Sequence, residues 1–266
     1  MNDRKVVIIT GASRGIGYAA ARLFLDNGYV VYAFSRSGCN LKGVNSVVCD
    51  ITQGAKLKES IDDVFNKEKR IDVLVNNAGG GISGAVEKTG PAEARDLFEL
   101  NFFAVFEAVK YTVPYMRAAG GGVIINVGSV AGELHVPFQA FYSASKAAVE
   151  ALSNCLRGEL EPFNIRVATI LPGDTQTGFT DARQKNFEAG DADYGSRIER
   201  SIGIMERDER GGMSPQKTAK VIYKASLRKS PRPLYAVGFK YGFFLLLGRI
   251  FPKSFVLWIL NSMYAK

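Results

Sequence analysis

The sequence predicts an α/β fold: a doubly wound, mostly parallel sheet with helices on both faces, in a single domain of 266 residues. Two observations predict it. Short aliphatic and β-branched runs alternate with longer helix-forming segments. The first run also passes through a glycine-rich turn straight into a helix, as a phosphate-binding loop requires. No linker, repeat or low-complexity tract divides the chain, and its length suffices for one sizeable core.

Val6–Thr10 is continuously apolar, which suits a strand covered on both faces. It runs into Gly11-Ala12-Ser13-Arg14-Gly15-Ile16-Gly17, spaced G-x-x-x-G-x-G, and then into a predicted helix over 16–27 with Gly28 at its C-cap. Glycines permit the tight turn and close backbone approach. The helix N-terminus turns free N–H groups and a partial positive charge toward a pyrophosphate. Together they predict a dinucleotide site. Further strands are expected at 30–35, 46–49, 71–76, 122–128, 165–171 and 234–237, and further helices at 55–69, 92–118 and 142–160. Ligands of such sheets bind at the carboxyl ends of the strands. That rule draws attention to Asn76-Asn77-Ala78-Gly79, which follows the buried run 71–75, while Asp50 closes the run 47–49 before Ile51. Asp50 reads equally as an N-cap for the helix beginning near residue 53, and Asn76 as a brace of the sheet.

Charge addresses the choice of dinucleotide. Where NAD-binding sheets commonly place a carboxylate for the ribose hydroxyls, the second strand ends in Ser35, followed by Arg36, with Arg14 in the glycine loop. Two guanidinium groups and no carboxylate suit a 2′-phosphate, so NADP(H) is expected. Tyr142 and Lys146 stand four residues apart on a predicted helix, one turn apart on the same face. A phenol titrating near ~10 is a poor base at neutral pH, and a neighbouring cation favours its ionised form.

Thr10–Gly17, Asn76–Gly79, Asn101, Ser129, Tyr142-x-x-x-Lys146 and Pro172-Gly173 together resemble, in order and spacing, the classical short-chain dehydrogenase/reductase family. The resemblance implies a Rossmann-type sheet and roles for the catalytic four. Tyr142 would be general acid/base and Ser129 a hydrogen-bond donor to the substrate oxygen. Lys146 would lower the Tyr142 pKa and hold the nicotinamide ribose, and Asn101 would support a water relay. It further implies cofactor contacts from Gly11, Ser13, Arg14, Gly15, Ile16, Gly17, Ser35, Arg36, Asp50, Ile51, Asn77, Ala78, Gly79, Pro172, Gly173, Thr175 and Thr177, besides Tyr142 and Lys146. Family members commonly form dimers or tetramers through the helices corresponding here to 92–118 and 142–160.

Substrate recognition falls on the least patterned segments. Residues 174–212, and above all the polar stretch 179–210, read as a mobile lid with few apolar anchors. The segment 133–138 is expected to wall the pocket, with His135 and Phe138 joining Ser129 and Tyr142 toward the substrate. His135 is the only histidine and lacks partners for a metal site, and Val127-Gly128-Ser129-Val130-Ala131 does not form the G-x-S-x-G elbow of a hydrolase.

All 26 Asp and Glu residues precede position 211, whereas 211–266 holds ten basic residues and no acid. That extension, 213–266, carries Phe243-Phe-Leu-Leu-Leu247 and Phe255-Val-Leu-Trp-Ile-Leu260, each far short of the ~20 residues of a membrane span. It reads equally as a surface helix at anionic headgroups, a lip around an apolar substrate, or a tail docked on its own domain or a partner subunit. Its loose similarity to the extensions of hydroxysteroid and retinol dehydrogenase-like members points to a lipophilic alcohol or ketone. Cys39, Cys49 and Cys155 have no metal-ligand spacing and read as free thiols. The first strand begins too early for a signal peptide, so a cytoplasmic location is expected.

The resulting expectation is an NADP(H)-dependent oxidoreductase interconverting a secondary alcohol and a ketone on a lipophilic substrate, with a hydroxysteroid favoured. The enzymatic alternative is a reductase of ketones on an acyl chain or glycerolipid precursor. The alternative of another class is a non-catalytic NADP-sensing or membrane-binding protein. Nucleic-acid binding is not expected, because the basic tail forms no known module and no continuous basic stripe.

Overall fold

The computed structural model describes residues 4–187 and 191–265. Seven parallel strands form the central sheet: β1 (Val6–Thr10), β2 (Val30–Ser35), β3 (Asn45–Val48), β4 (Val73–Asn76), β6 (Gly122–Val127), β7 (Ile165–Pro172) and β9 (Leu234–Val237), in the order β3-β2-β1-β4-β6-β7-β9. The chain winds outward from β1 in one direction and from β4 in the other. A crevice therefore opens at the carboxyl ends of β1 and β4, where the connections diverge.

Alternation along the buried strands feeds two cores. Val7, Ile9, Val31, Val75, Ile125 and Ile170 meet α1 (Gly15–Asp26) and α8 (Pro215–Ser226). Ile8, Phe34, Leu74, Ile124 and Val167 meet α2 (Gly54–Glu68), α4 (Ala104–Ala118) and α5 (Ala140–Leu160). Strands covered on both faces are what parallel sheets require, and β1, β2, β4 and β6 are buried at every position. Gly28 adopts φ +82°, as a residue closing α1 must.

Three features depart from the sequence expectations. The helix expected over 92–118 is two helices, α3 (Pro91–Phe98) and α4, joined by a π-helical turn at Glu99–Phe103 that carries the fully buried Asn101. The segment 179–210 is folded, with anchors: α6 (Phe179–Ala182), β8 (Gln184–Asn186) and α7 (Arg197–Arg210). Ile198, Ile202 and Met205 of α7 are buried, and β8 pairs with β5 (Ile82–Gly84) in a second small sheet. Residues 188–190 of the expected lid lie outside the described residues. Beyond β9, α9 (Phe239–Ile250) and α10 (Lys253–Tyr264) contain no buried residue. No helix among the described residues is long and apolar enough to cross a membrane.

Candidate active site

The glycine turn is held by its neighbours. Gly11 N–H donates to Phe34 O at 2.8 Å, and Asn77 Nδ2 donates to the carbonyls of Thr10 (3.0 Å) and Gly11 (3.2 Å). Thr10 Oγ1 accepts from Asn77 N at 3.0 Å and Ala78 N at 3.1 Å, which joins the ends of β1 and β4. Gly11 sits at φ +67°, and a Cβ there would fall 2.7 Å from Ala78 Cα, so only glycine fits. Gly17 is needed for packing: a Cβ would meet Gly11 O at 2.4 Å. Of the glycines of the motif, Gly11 and Gly15 line the crevice and Gly17 does not.

A cavity of about 740 Å³ occupies the crevice. Gly11, Ser13, Arg14, Gly15 and Ile16 line it from the glycine turn, and Ser35, Arg36, Asp50 and Ile51 from the ends of β2 and β3. Asn77, Ala78, Gly79, Pro172, Gly173, Thr175 and Thr177 complete the same rim. Asp50 Oδ1 accepts from Thr52 N (3.1 Å) and Thr52 Oγ1 (2.8 Å), so it caps a turn, while Gln53 is the N-cap of α2. Asn76 is buried and donates to Asn126 Oδ1 at 2.9 Å, tying β4 to β6. The cradle fits a dinucleotide on its own evidence. It has a side-chain-free backbone approach at a helix N-terminus, and Ser35, which lines the crevice, keeps a buried Oγ without a protein hydrogen-bond partner.

Ser129, Tyr142 and Lys146 meet on the opposite wall. Ser129 follows β6 with its Oγ accepting from Ala131 N at 3.1 Å. Tyr142 lies in the first turn of α5, and Lys146, one turn later, donates from Nζ to Val127 O at 3.0 Å. Asn101 stands behind the wall. Its Nδ2 donates to Gly80 O and Ser145 Oγ, both at 3.0 Å, and its Oδ1 accepts from Gly80 N at 2.9 Å. Its side chain thus clamps the loop after β4 to α5, and Gly79 passes between Asn101 Oδ1 and Lys146 Nζ.

Electrostatics differ from the simple pair expected. Burial pushes the Tyr142 phenol up, and Glu209 adds to that, whereas a hydrogen bond with Ser129 and the charge of Arg183 act downward. Burial pushes Lys146 down to about 8. Its ammonium is 6.0 Å from the Tyr142 ring centroid, and the groups that act downward on the phenol are Ser129 and Arg183.

The expected pocket wall is partly rearranged. His135 is exposed and does not line the cavity. Phe138 turns away because its backbone adopts φ +63°, and its ring packs edge-on against Tyr194 at 6.0 Å. Leu134, Val136 and Gln139 line the cavity in their place. Residues missed from the sequence include Phe179, whose ring lies 5.5 Å from that of Tyr142, and Met205 and Glu209 of α7. The i, i+4, i+7 spacing of Ile198, Ile202 and Met205 was the available signal for α7.

The tail supplies the largest unanticipated surface. Phe244 and Leu247 of α9, Phe251 just beyond it, and Phe255, Ile259 and Met263 of α10 extend the cavity wall. The Tyr241 ring lies on Gly173, where a Cβ would fall 2.3 Å from it, and Tyr241 Oη donates to Asp174 Oδ2 at 2.5 Å. Arg249 faces Glu133 at 3.9 Å, and Arg197 Nε donates to Ala265 O at 3.0 Å. The extension is therefore docked on its own domain and is a lip of the site at once.

A glycine cradle at the switch point of a parallel sheet, facing Ser129, Tyr142 and the buried Lys146, defines a nicotinamide-dependent oxidoreductase. The comparisons agree, and the chain belongs to the short-chain dehydrogenase/reductase family: residues 5–188 match the family model described as short chain dehydrogenase. The chain is 40% identical over 229 residues, 85% of each protein, to a 3-ketodihydrosphingosine reductase of Bacteroides thetaiotaomicron. It is 34% identical over 254 residues, 94% of each, to a probable short-chain type dehydrogenase/reductase, VdlC, of Helicobacter pylori. A short-chain dehydrogenase structure from Streptomyces avermitilis superposes with TM-score 0.83 at 29% identity, covering 98% of this chain and 96% of that one.

Proposed function

We propose that the protein is an NADPH-dependent reductase of a ketone carried on a long-chain lipid, and that it works as a homo-oligomer. The observation that carries this reading is the apolar wall that α9 and α10 add to the cavity which Ser129 and Tyr142 also line. Each helix has twelve residues, about 18 Å of wall, and offers one face, an elongated surface better matched to an alkyl chain than to a fused-ring plate. The 3-ketodihydrosphingosine reductase among the relatives supports the same choice over the hydroxysteroid expected from the tail's resemblance.

NADPH is favoured because Arg14 and Arg36 both line the crevice and no carboxylate closes β2. When bound, the nicotinamide supplies a hydride to the substrate carbonyl carbon. Ser129 Oγ donates a hydrogen bond to the ketone oxygen, and Tyr142 Oη delivers the proton that the developing alkoxide requires. Lys146 contributes positive charge beside the phenol and donors for the ribose hydroxyls. Asn101 keeps Tyr142 and Gly79 in register.

A turnover panel of 3-ketodihydrosphingosine, a ketosteroid and a short-chain β-ketoester, each with NADPH and NADH, tests the reading by nicotinamide absorbance. The expected result is fastest reduction of the long-chain ketone with NADPH and none by Tyr142→Phe. Preference for the ketosteroid would restore the hydroxysteroid reading, and turnover surviving in Tyr142→Phe would remove the phenol from its role.

A further inference from the structure

Ten of the sixteen large apolar side chains that stand exposed among the described residues fall between positions 239 and 263. They are not scattered. On α9, Phe239, Phe243, Leu246 and Ile250 are 91, 49, 53 and 66% exposed and follow a 4-3-4 spacing, which places them on one stripe of the helix. None of the four lines the cavity, because the inner face of α9 is a different set, Lys240, Tyr241, Phe244, Leu247 and Gly248. On α10, Trp258 is 62% exposed and its ring stacks on Phe255 at 6.0 Å. These two helices are thus apolar on both sides, one turned to the cavity and one to the surroundings. Contiguous apolar surface of this kind marks an interaction site.

We propose that the outward face of α9 and α10 is a docking surface for an anionic lipid bilayer, on which the enzyme lies without crossing it. Charge selects this occupant. Residues 211–266 carry ten basic residues and no acid, and the exposed Arg249 and Lys253, which do not line the cavity, stand where the two helices join. Basic side chains flanking an aromatic and aliphatic face are complementary to headgroups that bear negative charge. A second copy is the poorer partner, since a two-fold pairing would set one acid-free face against another. Neither helix is long enough to span, so the geometry is that of a helix pair lying in the interface plane.

The same arrangement gives the docked face a purpose. Phe251, Phe255, Ile259 and Met263 both line the cavity and remain 44, 43, 37 and 48% exposed, so the lip of the site is made of residues that also belong to the docking face. An alkyl chain would pass from the bilayer along α9 and α10 toward Tyr142 without crossing water. This route rests on the reading of the substrate as a long-chain lipid, whereas docking itself stands on the surface alone.

The chain's only tryptophan is Trp258, so its intrinsic fluorescence reports on this face directly. Full-length protein would be mixed with vesicles of phosphatidylcholine, with and without phosphatidylglycerol. The expected results are a blue shift of Trp258 emission and co-sedimentation with the anionic vesicles, both weakened several-fold at about 0.5 M salt. Phe239→Ser combined with Phe243→Ser and Ile250→Ser should lower vesicle association about tenfold or more at an unchanged melting temperature. Absence of both shift and sedimentation would overturn the proposal. So would an oligomer that the triple variant dissolves while the wild type ignores vesicles, which would assign the face to a second copy. Vesicle binding without turnover of any long-chain ketone would leave the docking intact and remove the substrate reading.

Discussion

Tyr142 is held where its own burial works against ionisation, and only Ser129 and Arg183 counter it from within the protein. A protonated phenol is the form that ketone reduction needs, so this bias serves the reductive direction. Lys146, pushed down to about 8 by burial, is the group that titrates first. The rate of ketone reduction, followed as kcat/KM, should be flat below that value and decline above it as the ammonium beside the phenol is lost. A profile flat to pH 10 would separate Lys146 from the chemistry. Cofactor choice also lives at this scale. Arg14→Ala with Arg36→Ala should raise the KM for NADPH roughly 10–100-fold, the magnitude of lost charge-assisted hydrogen bonds, and leave NADH nearly unchanged. Equal losses would contradict the 2′-phosphate reading. Tyr142 and Lys146 were legible because a four-residue spacing on a helix dictates geometry, whereas His135 and Phe138 were not. The positive φ at Phe138 reverses the chain's inner and outer faces, and no residue-type pattern announces that in a phenylalanine.

Elements, rather than residues, decide how the lip is attached. Glu150 on α5 is pushed up to about 7, by burial first and then by a hydrogen bond and like charge from Glu133, while Arg249 of α9 pulls the other way. The two carboxyls sharing one region can be satisfied by one proton, with Arg249 facing Glu133 at 3.9 Å. A carboxyl whose folded pKa exceeds its unfolded value stabilises the fold while protonated. Its contribution is complete below about pH 4.5 and is lost as pH rises through about 7. The melting temperature should therefore fall between pH 5 and 8, and Glu150→Gln, which keeps a hydrogen-bond donor without the titration, should flatten that fall. An unaltered slope in the variant would place the titration elsewhere. The seven long strands were legible from their apolar runs, but β5 and β8 were not. Each has three residues, and Gln184-Lys185-Asn186 carries no strand signal outside the pairing that Ile82–Gly84 offers it. The π-helical turn escaped for a similar reason: 92–118 has helical composition throughout, and only the tertiary demand on Asn101 widens it.

Over the whole molecule, the charge asymmetry and the doubly wound parallel sheet were legible, because composition and alternation survive without coordinates. How the tail folds back was not, since its helices are apolar on both sides and leave a single sequence no inner face to read. The proposed homo-oligomer is argued from a different surface. On α5, Ala144, Ala151, Cys155 and Gly158 are exposed small residues close to one helical face, and a Cβ at Gly158 would meet nothing. Phe103 and Phe106, 45 and 42% exposed, stand at the start of α4. Small side chains let helices approach closely, and flanking aromatics supply the apolar area that a stable pairing needs. Light scattering should give a multiple of 29.0 kDa for the wild type, and Phe103→Glu with Phe106→Glu should return the monomer mass. Because this face shares no residue with the outward stripe of α9, the double variant should still sediment with anionic vesicles. A variant that remains oligomeric would move the subunit contact off α4. One that loses vesicle association together with its oligomeric state would show that the bilayer reads several tails at once, so that docking depends on avidity rather than on one helix pair.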